Sequence, residues 1–331
     1  MVRIVDVAKK ANVSTATVSR VLSRPGAVKE ATTEKVLKAI EDLNYQPNIL
    51  ARQLRRLETN TILVVVPDIT NPFFSNVLRG IQSVAVDNGY QVLLGDTCND
   101  VELENGYLDI LQQKKADGMV LLTARTGVKA VKEAAQSYPV VLACEYIEGS
   151  GIPTVSIDNI SGARKATEYL IDLGHTRIGC ITGPLNVVLG RDRLKGFYQA
   201  MAQRSIEVEP VLIQEGDFTF ESGFNLMMKF LALGELPTAI FAANDEMAMG
   251  AIKAIKTKGM KVPEDISIIG FDDVKFSAIF EPGITTIAQP AFEIGTNAME
   301  LLLKLINKEE LQRDQIILDD QLIIRESCKG I

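Results

Sequence analysis

From Thr61 onward, short apolar runs alternate with longer amphipathic ones, and this alternation limits the fold more than any other feature of the 331-residue chain. Strand-like runs stand at Ile62–Val66, Gln91–Gly95, Gly118–Leu122, Val140–Ala143, Arg177–Ile181, Ala239–Ala243 and Ser267–Phe271. Helical stretches, among them Pro72–Asn88, Gly162–Leu173, Asp245–Lys258 and Phe292–Asn307, lie between most of them. Apolar strands separated by helices predict an α/β fold whose parallel sheets are covered on both faces. About 270 residues of this pattern exceed one typical sheet, so two α/β lobes are expected. The second opens near Asp158, after the bend Gly149-Ser150-Gly151. Two facing lobes enclose a cleft, and ligands in such sheets sit at the carboxyl ends of the strands.

The first sixty residues differ in texture. Ile4, Val7, Ala8 and Ala11 recur at helical spacing, Asn12-Val13-Ser14 interrupts them, and Ser14 suits the N-cap of a second helix from Thr15 to about Ser23. After the turn at Pro25-Gly26, a third helix is expected from about Thr32 to Asn44, with Val36, Ile40 and Leu43 as its stripe. Asn48–Leu57 then reads as one more short basic helix, too short to be stable alone in water. Two short helices joined by a tight turn, with Ala8 where they cross, describe a helix-turn-helix; a plain helical hairpin is the alternative on spacing alone. Packing of Val7, Ala11, Val13, Val18 and Val21 turns Thr15, Ala16, Thr17, Ser19 and Arg20 outward. Such a helix fits a DNA major groove, where Arg20 reaches guanine for a bidentate contact worth roughly 1–3 kcal/mol of discrimination.

The net charge of −7 conceals a partition. Residues 1–58 hold 11 Lys and Arg against 6 Asp and Glu, a net of +5, while the remainder holds 24 against 36, a net of −12. Phosphates repel such an acidic body, so DNA contact belongs to the head. The opening MVRIVDVAKKANVS carries charges throughout, so no signal peptide is expected, and no run approaches the roughly 18 apolar residues of a membrane span. A cytoplasmic protein without a membrane partner follows, and a solute-binding protein of the transport type, which would need a leader and no basic head, is disfavoured. Cys98, Cys144, Cys180 and Cys328 show no CxxC spacing and read as thiols in a reducing compartment. With His175 the single histidine, no metal and no cofactor are expected; in LGHTRI it reads as a turn residue before a strand. The chain lacks GxGxxG, GxxxxGK[ST] and GxSxG, so no catalytic residues and no enzyme are expected, although a sugar- or nucleoside-processing α/β protein is the rival of another class.

Asn71-Pro72-Phe73-Phe74 follows a strand-like run, so its rings stand at a carboxyl end facing the cleft; Phe218, after Gly216-Asp217, approaches from the second lobe. Rings closing on a ligand suit a nucleobase or a sugar face.

The head motif, followed in order by YQPNILARQLRR, VPDITNPFFSNVLRGI, GHTRIGCITGP, RDRLKGF, FAANDEMAMGAIKA, VPEDISIIGFDD and TTIAQPAFEIG, resembles the lactose-repressor (LacI/GalR) family of transcription regulators over essentially the whole chain. The resemblance implies a helix-turn-helix DNA-binding domain at 1–46, a hinge helix and linker at 47–60, and a two-lobed, periplasmic-binding-protein-like α/β body at 61–331 that binds effector and dimerises. The N-lobe would span about 61–157 and the C-lobe about 158–290, with crossovers near 158, 290 and 320. It implies that Thr15, Ala16 and Arg20 read bases, and that the hinge meets DNA through Asn48, Ala51, Arg52, Leu54 and Arg55. Leu54 would be a minor-groove wedge, with Arg52, Arg55 and Arg56 on phosphates. For the effector it implies stacking by Phe73, Phe74 and Phe218, acceptance of ligand hydroxyls by Asp272 and donation by Arg193. Asn244, Gln289 and Glu145 are further candidates, for which caps or surface positions fit equally well.

The implied partners are operator DNA, a second copy in a homodimer, and a small-molecule effector, a nucleoside or a sugar. A phosphocarrier protein in place of the small molecule, and an activator bound on neighbouring DNA, also occur in this class. The runs VPDITNPFFSNVLRGI, GDFTFESG and TTIAQPAFEIG are most similar to a nucleoside-responsive member, which favours a nucleoside.

Overall fold

The computed structural model describes residues 2–23, 26–45, 59–123, 125 and 127–331, and these fall into two compact units, Met1–Thr59 and Asn60–Ile331. The hinge candidates Asn48, Ala51, Arg52, Leu54 and Arg55 lie outside the described residues.

The first unit contains α1 (Ile4–Ala11), α2 (Thr15–Ser23) and α3 (Glu30–Asp42). Asn12 ends α1 in the left-handed conformation (φ 53°), a position where asparagine is tolerated, and its N–H returns to Ala8 O. Ser14 Oγ then accepts from the Thr17 N–H at 3.1 Å and starts α2. Val7, Ala8, Ala11, Val18, Val21, Val36 and Ala39 form the core, with Val13, Ile40 and Leu43 partly buried against it. Lys10 Nζ and Asp42, 2.9 Å apart, tie α1 to the end of α3, and the hydrogen bond from Lys10 holds the Asp42 carboxyl below its usual range. α3 is displaced two residues towards the N-terminus from the span its apolar stripe suggests. Glu30 suits the positive end of the helix, and Leu43 serves as the C-cap instead of a helical residue.

In the second unit, β1 (Thr61–Val66), β2 (Gln91–Asp96), β3 (Gly118–Leu121), β4 (Val140–Ala143), β5 (Thr154–Ile157) and β11 (Gln315–Leu318) form one sheet in the order β11-β5-β4-β3-β1-β2. β6 (Ile178–Thr182), β7 (Ile213–Glu215), β8 (Ala239–Ala242), β9 (Ser267–Asp272), β10 (Thr285–Ala288) and β12 (Gln321–Ile323) form the other, ordered β12-β10-β9-β8-β6-β7. Every pairing is parallel except that of β12, which joins the edge of the second sheet antiparallel to β10. Between the strands run α4 (Pro72–Asp87), α5 (Val101–Gln112), α6 (Val128–Ser137), α7 (Asn159–Asp172), α8 (Val188–Gln203), α9 (Phe220–Phe230), α10 (Asp245–Thr257) and α11 (Ala291–Ile306).

The buried pattern of β1 explains its apolar continuity. Ile62, Val64 and Val66 enter one cluster while Leu63 and Val65 enter another on the opposite face, so no position faces water. Five strands exceed the seven expected. β7, β11 and β12 are only partly buried, and in β5 and β10 threonine or serine fills half of the positions. Their hydroxyls are satisfied internally: Thr154 Oγ1 donates to Ile152 O (2.9 Å), and Thr286 Oγ1 to Asp245 Oδ1 (2.7 Å). Neither class of strand makes the apolar run that announces a buried strand.

The chain passes from one sheet to the other after β5, before α11 and between β11 and β12. Asp158 marks the first passage as the N-cap of α7, accepting from Ser161 N at 3.0 Å. α11 packs on α4, β3 and β4, so this late helix covers the first sheet. The α4–α11 crossing depends on opposed glycines. A β-carbon on Gly295 would stand 2.1 Å from Val77 O, and one on Gly80 2.1 Å from Phe292 O. Gly295→Val is therefore expected to cost about 2–3 kcal/mol. Urea unfolding of the variant beside the parent checks this, and an unchanged midpoint would show that the helices separate freely.

Candidate functional site

In both sheets the strand order reverses beside the first strand: β1 lies between β2 and β3, and β6 between β7 and β8. Loops following such strands diverge to opposite faces and leave a crevice at the carboxyl edge, where α/β proteins bind ligands. One cavity is lined by such loops from both sheets, with about 630 Å³ of space, part of it open to solvent.

Phe73 and Phe74 enter this cavity from the first turn of α4, which Asn71 caps by accepting from Phe73 N at 3.0 Å. Their centroids are 5.3 Å apart with planes at 76°, so only one of the two rings can lie parallel to a flat ligand. Phe218 enters from the loop after β7 with φ 71°. Its ring occupies the space above Gly183, where a β-carbon would lie 2.1 Å from Cζ. Asn244 both caps α10, accepting from Met247 N (3.0 Å), and donates through Nδ2 to Phe218 O (2.9 Å). Its side chain is thus engaged on both sides within the fold, although it lines the cavity.

Arg193, on α8, is 2% exposed. Nε donates to Asn159 Oδ1 (2.9 Å), Nη1 donates to Ala243 O (2.5 Å) and lies 3.4 Å from Asp272 Oδ1, and the guanidinium stands 3.8 Å above the Phe271 ring. A buried charge needs this completeness of partners. Asp272 ends β9 at φ 108° and also accepts from Gln289 Nε2 at 2.7 Å. Burial pushes its carboxyl up to about 6, outweighing the opposite pull of Arg193. Glu246 beside it is raised to about 7, first by burial and then by the carboxylates of Asp68, Asp272 and Glu221. Asp245 takes no part in the cavity lining. It accepts from Val274 N, Ser277 Oγ and Thr286 Oγ1 and bolts α10 to the loops around β9 and β10.

Phe73, Phe74, Glu145, Arg193, Phe218, Asn244, Asp272 and Gln289 thus all line one cavity. Sequence reading passed over Asp68, Asn99, Arg125, Asp217 and Glu246, which line it too. Their common signal is position, since each closely follows a strand. Just outside the lining, Tyr146 after β4 donates its hydroxyl to Asp192 Oδ2 on α8 at 2.8 Å, a hydrogen bond between the two lobes. His175 is a loop residue before β6, as expected, but a buried one: Nδ1 pairs with Thr238 Oγ1 and Nε2 with Lys329 O, each at 3.0 Å.

On the separate head, Thr15, Ala16 and Arg20 are exposed along α2, whereas Thr17 and Ser19 are half-buried. The Thr17 hydroxyl is shared with Ser14 Oγ at 2.9 Å. Thr15, Ala16 and Arg20 therefore offer more surface to a partner than the other two candidates.

Because Asn244 serves a helix end and the Phe218 backbone together, Asn244→Ala is expected to cost about 1–2 kcal/mol of stability. Thermal unfolding reads the loss, and a melting temperature equal to the parent's would mean that neither bond matters.

Residues 3–48 match bacterial regulatory proteins of the lacI family, and residues 59–326 match periplasmic binding proteins and the sugar binding domain of the LacI family. The HTH-type transcriptional repressor CytR of Escherichia coli (strain K12) is 44% identical over 327 residues, covering 98% of this chain and 96% of that protein. The ribose operon repressor of the same strain is 39% identical over 326 residues, 98% of either chain. Among solved structures, the lac repressor dimer bound to operator and the anti-inducer ONPF matches with a TM-score of 0.89 at 31% identity, covering 99% of both chains. This chain belongs to the lacI family of bacterial regulatory proteins, and is a DNA-binding transcription regulator with an effector-binding body, not an enzyme.

Proposed function

We propose that this regulator binds operator DNA as a homodimer and is released from it by an uncharged nucleoside, with cytidine the first candidate. The observation that carries the reading is the convergence of three phenylalanines and the Arg193–Asp272 pair on one cavity. The rings suit a planar base, and Asp272, Gln289 and Glu145 offer partners to ribose hydroxyls. Five carboxylates (Asp68, Glu145, Asp217, Glu246 and Asp272) stand in the wall against two guanidiniums, Arg125 and Arg193. That excess of negative charge disfavours a phosphate and favours a nucleoside over a nucleotide or sugar phosphate. The runs that resemble the cytidine repressor support the same ligand. A free sugar has support from the family's sugar-binding domain and the likeness to the ribose operon repressor.

Arg20, Thr15 and Ala16 are assigned to base edges in the major groove, and the hinge residues Asn48, Ala51, Arg52, Leu54 and Arg55 to the minor groove and its phosphates. The nucleoside acts by binding two arrangements of the lobes unequally, which shifts the population competent for operator. An activator bound beside the operator is a further partner that the same resemblance supports.

Thermal unfolding with ligand panels tests the effector. Cytidine at about 100 times its dissociation constant should raise the melting temperature by roughly 5 °C or more, and cytidine 5′-monophosphate should not. Asp272 accepts a ligand hydroxyl best as the anion, so the cytidine shift should shrink as pH falls through about 6. A shift with ribose alone would replace the nucleoside by a sugar, and a larger shift with the monophosphate would contradict the charge argument. For the head, Arg20→Ala should lose roughly 1–3 kcal/mol of preference at one operator base pair. Binding to an operator library scores this, and an unaltered preference at every position would remove Arg20 from base reading.

A further inference from the structure

Arg193 is engaged within the protein through Nε and Nη1, both of which have protein acceptors, with a carboxylate and a ring beside it. The second guanidinium in the cavity wall is differently placed. Arg125 follows β3, and Phe73 and Phe74 follow β1, the two strands between which the order of the first sheet reverses. All three therefore flank the crevice of that sheet. The Arg125 backbone N–H donates to Glu104 Oε2 at 3.3 Å, and Glu104 is buried on α5, so the residue has a fixed anchor. Yet Arg125 Nε is buried and has no hydrogen-bond partner among the described residues. Two positions earlier, the buried Thr123 Oγ1 is likewise without one. Leaving a charged donor buried and unpaired is costly, and such groups in native proteins usually have a partner that completes them.

Resting on the nucleoside reading, we propose that Arg125 is a ligand-contacting, specificity-determining residue whose Nε–H donates to a ring carbonyl of the base. Arginine has donors and no acceptor, so this position selects an acceptor atom on the ligand. Its place on the same lobe as Phe73 and Phe74 puts that donor at the aromatic end of the ligand. The polar set of Arg193, Asp272 and Gln289 belongs to the other lobe and is left to the ribose. The charge of Arg125 also sets it apart from the surrounding carboxylates, which accept hydrogen bonds from hydroxyls and amino groups but cannot satisfy a carbonyl.

Calorimetric titration of the full chain with cytidine, and with adenosine, whose base has no ring carbonyl, tests the assignment on the parent, Arg125→Ala and Arg125→Lys. The expected result is a loss of cytidine affinity of about tenfold or more in Arg125→Ala, with the ligand-free melting temperature held. Arg125→Lys should recover part of the affinity, and adenosine should discriminate the three proteins less than cytidine does. Equal cytidine affinity in the parent and Arg125→Ala would overturn the proposal. So would a fall in the ligand-free melting temperature large enough to account for the lost affinity, because Arg125 would then be a structural residue. Failure of the parent to bind either nucleoside would overturn the nucleoside reading itself, and with it the carbonyl acceptor assigned to Arg125.

Discussion

Parallel pairing of strands is the constraint from which the rest of this molecule follows. A parallel strand must be reached by a crossover, so each strand ends on the same edge of its sheet as its neighbours and each loop leaves from that edge. Two such edges supply Phe73 after β1, Glu145 after β4, Arg193 after β6, Phe218 after β7, Asn244 after β8 and Asp272 at the end of β9 to a single cavity. Residues separated by some two hundred positions meet there without any local sequence signal that they should. The core is built to tolerate this: the central strands β1, β3 and β4 are apolar on both faces, so their length is buried and the site stands at their ends.

The polar ends carry the energetic burden. Asn159, the Ala243 carbonyl and Asp272 offset the cost of burying the Arg193 charge at this depth, and removing one of them would leave part of that charge uncompensated in a buried setting. Cys144, Phe218 and Asp272 all adopt positive φ around the cavity, a conformation that non-glycine residues hold only when their surroundings over-determine it. For Phe218 the determining contacts are the Asn244 amide at its carbonyl and the open space above Gly183 at its ring. The loops are fixed within each half, and a hydrogen bond from Tyr146 to Asp192 joins the two halves beside the site, in addition to the three passages of the chain between the sheets.

Much of this was legible before any coordinates, for physical reasons that can be named. β1 and α4 announce themselves because burial on both faces and on one face leave different periodicities. The turn in the head was legible because Asn12 and Ser14 are residues that the left-handed and capping positions demand. β5 and β10 were not, because threonine and serine hydroxyls satisfied by the backbone or by Asp245 mimic polar loops. Phe73, Phe74 and Phe218 could be assigned to a ligand only through resemblance, since isolated phenylalanines usually belong to the core. Arg125 carried only the signal of its position after a strand: the role proposed for it rests on an unpaired donor, and a sequence does not display absent hydrogen bonds.

The late helix α11 lies against α4 at a glycine-to-glycine crossing, although some two hundred residues of chain separate them. Primary structure therefore misleads about what is peripheral. A nonsense mutation near Pro290 would not trim a tail; it would uncover β3 and β4 on one face of the first sheet and take β11 from its edge and β12 from the edge of the other. Neither lobe is finished until the last forty or so residues have been made, so a ribosome must deliver nearly the whole body before either half can close its core.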